Sequence, residues 1–256
     1  MKQSPLLLVM ILFLVVGCNS DKDDNPSPTN IQLNFSHFWE GDTVENSDFN
    51  SLKYSTENGD LISIERLRYL ISDLRLTKAD GETILLEGYN LVDVTNQTNL
   101  SYSPVDQITT GSYTNISFVF GFTNEKNTEG AYNSLNAVSW NVPVLLGGGY
   151  HYMQLDGKFM NSENEVQGYN FHAIRAVDNP GDNPSFPQDT FLQVNLGEIT
   201  IGTDQDINIV MNIAEWFKTP NTWDLNQYNQ MLMPNSSAQI MMYQNGQNVF
   251  SLQQIN

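Results

Sequence analysis

Apolar and polar residues alternate with a period of two in segment after segment of the chain. Ile31, Leu33 and Phe35 alternate with Gln32, Asn34 and Ser36; Ile116, Phe118 and Phe120 with Asn115, Ser117 and Val119; Leu192, Val194 and Leu196 with Gln193 and Asn195; Ile207, Ile209, Met211 and Ile213 with Asn208 and Asn212. Successive side chains of a strand point to opposite faces, so this pattern predicts strands with one face on a core. The alternation favours antiparallel pairing, because buried parallel strands read as continuous apolar runs. Leu70, Leu74 and Leu76 share one parity up to Asp80-Gly81, a hairpin turn after which Ile84-Leu85-Leu86 returns. Helical signal is sparse: one turn is expected within Ser63 to Tyr69, and a helix over Ser236 to Tyr243 with a Ser cap and Gly246 as its stop. The expected fold is all-β, a single antiparallel β-sandwich with long loops and one or two short helices, occupying residues 31–256. Two loops, Asn124 to Leu146 and Val177 to Gln188, are long enough to carry function at the ends of such a sandwich.

The N-terminus bears on compartment. Lys2 precedes an apolar run from Leu6 to Val16, too short to span a bilayer but suited to a secretory signal. Val15-Val16-Gly17-Cys18 resembles the bacterial lipobox, in which the cysteine is acylated and becomes the first mature residue. Residues 1–17 are therefore expected to be a lipoprotein signal peptide, Cys18 a lipid anchor carrying palmitate or a similar chain, and residues 18–30 a polar, Pro-bearing tether. The expected place is the cell envelope, as an outer-membrane lipoprotein. The early acidic cluster Asp21, Asp23 and Asp24 resembles a surface-export signal of some Gram-negative lipoproteins and reads equally as a solvated linker.

Composition narrows the chemistry. The 256 residues include 29 acidic, 11 basic, 3 histidines and one cysteine, for a formal charge of −18. So few cations argue against nucleic-acid binding, and one thiol excludes a disulfide framework or a Cys-rich zinc site. No Gly-x-Ser-x-Gly elbow, His-Glu-x-x-His helix or P-loop occurs, so no catalytic constellation is supported and the chain is expected to bind rather than catalyse. The three histidines, His37, His151 and His172, each lie beside aromatic residues, a surround that suits a soft or borderline metal such as copper and also an ordinary hydrogen-bonded, partly buried histidine. His151 shares parity with Met153 and Leu155, which would turn it toward the core.

Several segments carry a family resemblance. Leu67 to Leu76 with Asp80-Gly81, Tyr89-Asn90-Leu91-Val92-Asp93, Gly111 to Phe118 with Gly121, Trp140-Asn141, Gly149 to Gly157 and Phe171-His172 follow one another as in the MbnP-like family of secreted or lipid-anchored β proteins, which this chain resembles over nearly its whole mature length. The resemblance implies copper binding outside the cytoplasm, by two histidines and a kynurenine made from tryptophan, often with a di-haem peroxidase-like partner that performs the oxidation. Carried onto this sequence, it makes His37 and His172 the candidate ligands, His151 the reserve, and Trp39 and Trp140 the candidate modified tryptophans. The segment Ala173-Ile174-Arg175-Ala176 departs from the family pattern by placing a cation after His172. Copper capture, buffering or delivery is the first functional expectation. The alternative is a metal-free surface module that holds a glycan, peptide or partner protein on the aromatics around Trp140, Tyr150 and Trp223.

Overall fold

The computed structural model describes residues 26–253; the signal segment and Cys18 lie outside the described residues. Among the described residues, no helix is long and apolar enough to cross a membrane. Among the described residues, nine strands of three or more residues build the fold: β1 (Ile31–Trp39), β2 (Arg66–Thr77), β3 (Thr83–Asp93), β4 (Gly111–Phe120), β5 (Met153–Met160), β6 (Val166–Ala173), β7 (Leu192–Ile201), β8 (Gln205–Asn212) and β9 (Phe250–Leu252). The helices are α1 (Asn133–Ala137) and α2 (Ser236–Gly246). The all-β sandwich read from the alternation is the architecture found.

β2 organises the larger sheet. β3 runs along one of its edges. Its other edge is shared, with β5 pairing Arg66 to Tyr69 and β4 pairing Ile71 to Thr77. β6 lies beyond β5, and β7 beyond β4. β1, β8 and β9 form the smaller sheet, in which β1 and β8 run parallel. That pair departs from the antiparallel expectation. Only one face of the smaller sheet is buried, so its strands alternate whatever their direction; Asn34 and Asn208 sit side by side on its outer face.

The inner faces meet in one core that includes Leu33 and Phe35 of β1, Leu67, Tyr69 and Ile71 of β2, Phe118 and Phe120 of β4, and Tyr169 and Phe171 of β6. Asp73, at φ 52°, forms a bulge in β2 where the register slips between Ser72 and Leu74. Inward positions therefore run 67, 69, 71, 74 and 76. Leu70, expected to share a face with Leu74, points the other way into a second cluster with Phe122, Leu135, Trp140 and Tyr150. The buried Asp73 carboxylate accepts a 2.6 Å bond from Lys126, which ties the bulge to the long loop after β4.

Three boundaries differ from the sequence reading. No helical turn forms within Ser63 to Tyr69, because Arg66 onward is recruited into β2. The α2 cap is Asn235, whose side chain accepts from the Ala238 amide at 3.1 Å, and the helix runs through Gly246. Pairing begins before Ile31, since Pro28 and Thr29 lie against Thr109 and Ile108.

Candidate metal centre on the outer face of the larger sheet

The outward side chains of β2, β5 and β6 form two polar rows across three strands. Arg68, Gln154 and His172 occupy one row, and Arg66, Asp156 and Asn170 the next. Parity sets this arrangement: Tyr169 and Phe171 take the inner face of β6, so Asn170 and His172 must take the outer one. Asp156 links the rows. It accepts bonds from His172 Nε2 at 2.8 Å, from Asn170 Nδ2 at 2.6 Å, and from the Arg66 guanidinium. Burial alone would raise its pKa, but these donors, His172 first, outweigh it and hold the carboxyl at about 2.

The loop between β4 and β5 folds over this face. Residues 140–142 pair back on 149–151, with Val142 N donating to Gly149 O at 2.9 Å and His151 N to Trp140 O at 3.0 Å. The return at Gly147-Gly148-Gly149 has positive φ at all three residues, which glycine alone adopts without strain. Glu129 receives the Gly149 amide at 2.7 Å and Asn127 the Tyr150 amide at 2.8 Å, so the return is held from the loop side. His151 thus precedes the strand rather than belonging to it. Its ring does not follow Met153 and Leu155 into the core but lies between Trp140 and His172, with centroids 5.6 and 5.4 Å away.

The hydrogen bonds fix both tautomers. His151 Nδ1 lies 3.0 Å from the Trp140 carbonyl, which can only accept, so Nδ1 carries the proton and Nε2 the lone pair. That buried Nε2 has no hydrogen-bond partner. His172 Nε2 donates a hydrogen bond to Asp156, so Nδ1 is the nitrogen that bears the lone pair when this ring is neutral. Burial, acting against the bond to the Trp140 carbonyl, lowers the His151 pKa to about 4, so the ring is neutral at pH 7. Trp140 Nε1 and Arg68 Nε are likewise buried without partners, and the Arg68 guanidinium stands 5.1 Å over the Trp140 ring. Buried polar atoms normally find partners; of these three, Trp140 Nε1 and Arg68 Nε are N–H donors, and His151 Nε2 alone carries a lone pair that could meet a metal. Two imidazoles on adjacent rings, with His151 Nε2 unpartnered and His172 bonded to Asp156 through Nε2, are a donor set that fits copper. Among the described residues, no group of three or more His, Cys, Asp and Glu converges, so a third donor would be of another kind.

His37 does not join this cluster. It shares the inward parity of Leu33 and Phe35, and its Nε2 makes a 3.1 Å hydrogen bond with Tyr69 inside the sandwich. The structure therefore does not bring the expected His37–His172 pair together: the larger sheet stands between the two rings, and the imidazole beside His172 is that of His151. Trp39 is also on the inner face, stacked on Tyr54 with its Nε1 donating to Ser55 O. Arg175, the cation after His172, packs on the Phe186 ring at 3.6 Å. Trp140, Tyr150 and Trp223 are each fully buried, which removes the aromatic platform of the metal-free alternative. Asp156, Arg68 and Gln154 were not singled out from the sequence; their shared parity with His172 across paired strands was the available signal.

The buried His37 makes a testable contribution to stability. Burial lowers its pKa from the ordinary 6.5 to about 4, so the unfolded chain binds a proton there that the folded chain refuses. Stability is full above pH 6.5 and falls as pH drops toward 4. His151 acts in the same sense. Urea unfolding at pH 7 and pH 4.5 should show a loss of a few kcal/mol (~3 per histidine at most), and His37→Gln should remove about half of that loss.

Comparison with known proteins places these observations. A family model described as MbnP matches residues 28–241. Among solved structures, MbnP from Methylosinus trichosporium is similar with a TM-score of 0.51 and 12% sequence identity, over 77% of this chain and 81% of that one. At that identity the likeness concerns the fold. No match is found among curated protein sequences.

Proposed function

The chain belongs to the MbnP family, and on that premise we propose that it is an extracytoplasmic copper-binding protein whose ion is held by His151 and His172 beside Trp140. The observation that carries this reading is the unpartnered, buried Nε2 of His151 next to the ring of His172, whose Nε2 is bonded to Asp156 and whose Nδ1 is its other nitrogen. Copper bound there would gain two imidazole nitrogen donors, one of them fully enclosed. The protein's contribution is positioning. The Trp140 carbonyl and the Asp156 carboxylate each hold the far-side proton of one ring, fixing its tautomer and raising its donor strength. Since His151 is already neutral at pH 7, binding requires no proton release from it. The reading is non-catalytic: capture, buffering or delivery of copper. A lipid on Cys18 would hold the domain at the outer membrane, and a di-haem peroxidase-like partner would convert Trp140, rather than Trp39, to kynurenine. Trp140 is favoured because its ring adjoins His151 and its Nε1 lacks a partner, whereas Trp39 is satisfied in the core.

Anaerobic titration with cuprous copper against a chromophoric chelator tests the proposal. About one equivalent should bind with micromolar or tighter affinity, and nothing tighter than about 1 mM would overturn it. Asp156→Asn keeps an acceptor but loses the charge behind His172, and in the same titration should weaken binding by about tenfold.

A further inference from the structure

We propose that Met231 and Met233 form, together with His172, an entry site where a cuprous ion is first received before it reaches His151. This rests on the copper reading above and adds the route.

A cavity of about 630 Å³ opens against β6, and its lining includes Leu145, His172, Met231 and Met233. Within the metal cluster, His172 lines this cavity while His151 and Trp140 are buried, 5% and 0% exposed. An ion that comes in by the cavity therefore meets His172 first. Both methionines line the same cavity, Met231 exposed and Met233 half-buried. Met231 is 78% exposed and sits in left-handed backbone at φ 55°, a costly conformation for a side chain that gains no packing.

The segment bearing them is fixed to the strand that bears His172. Asn170 N donates to Asn229 O at 2.8 Å, and Gln230 Nε2 to Gly168 O at 3.3 Å. Gln239 of α2, 1% exposed, donates from Nε2 to both His172 O at 2.9 Å and Leu232 O at 3.1 Å. One buried amide thus joins the histidine's backbone to the residue between the two methionines. Thioethers are uncharged soft donors that select Cu(I) over harder divalent ions. Exposed Met231, half-buried Met233 and His172, and buried His151 give a series of donors of rising burial, along which ligand exchange proceeds with no change of oxidation state. A purely apolar role for the methionines, as gap fillers, would be served equally by leucine.

Two measurements test this. The full chain labelled with 13C-methyl methionine is titrated with silver nitrate, in wild type and in His151→Ala. The Met231 and Met233 methyl resonances should shift in both; no shift in either protein overturns the entry site, whatever the histidine pair does. Apo protein is then loaded anaerobically with the cuprous acetonitrile complex. Met231→Leu/Met233→Leu should slow capture by about tenfold and leave the final copper stoichiometry unchanged, while an unchanged rate overturns the route. Failure of the underlying copper reading looks different: wild type would retain no copper although silver still moved the two methyls, and the entry role would fall with it.

Discussion

Replacing either His151 or His172 with alanine is expected to weaken cuprous copper binding by about a hundredfold or more, while His37→Ala leaves it within about a factor of three. The ion is assigned two imidazole donors on one face of the larger sheet, so removing either leaves half the set. His37 faces the opposite side, bonded to Tyr69. Stability should show the reverse order. His37→Ala strands the fully buried Tyr69 hydroxyl and opens a cavity in the core, at a cost of about 2 kcal/mol. His151→Ala removes a ring whose Nε2 has no partner in the apo chain and should cost less. Chelator competition and urea unfolding on the same four proteins read both orders.

The second large effect is on folding. Gly157 lies in β5 beside Asp156, under the segment that crosses at Ser63. A Cβ placed on Gly157 would lie 2.0 Å from the Ser63 carbonyl oxygen and 2.8 Å from the Tyr169 ring. Neither can step aside cheaply. The crossing is fixed by Ser63 N to Lys158 O at 2.8 Å, and the Tyr169 hydroxyl donates to Ser63 O at 2.8 Å. Gly157→Ala should therefore destabilise the protein by about 3 kcal/mol and lower Tm by about 10 °C, read by urea unfolding and calorimetry. Gly181→Ala, where a Cβ meets nothing within 4 Å although φ is 141°, supplies the comparison with backbone strain but no clash.

The fold was legible because β1, β4, β7 and β8 carry period-two alternation, the mark of a strand with one face on a core; β2 and β5, buried over most of their length, carry it weakly or not at all. Leu70 was misassigned because a bulge adds a residue to β2 without changing composition; Asp73 in left-handed backbone is no signal until its partners are known. The parallel pairing of β1 and β8 was hidden for a related reason, since direction leaves no mark on strands buried on one side. The cluster proposed as the site is half legible. His151, His172 and Trp140 are all visible as candidates, but which histidines share a face is not. Parity places two of the three: His37 continues the apolar set of Ile31, Leu33 and Phe35, whereas His172 alternates with Tyr169 and Phe171. For His151 parity misled, because the residue lies in a loop return before β5, and only the pairing of 140–142 with 149–151 brings its ring to Trp140. The role of Asp156 required the register of three strands, which no single segment contains.

The central claim is the location of the copper. An anomalous difference map collected at the copper edge from crystals of the loaded protein tests it most directly. The account predicts one peak in contact with His151 Nε2 and His172 Nδ1, beside the ring at position 140. A peak bound to His37, or copper scattered over surface carboxylates with none at this pair, would contradict it.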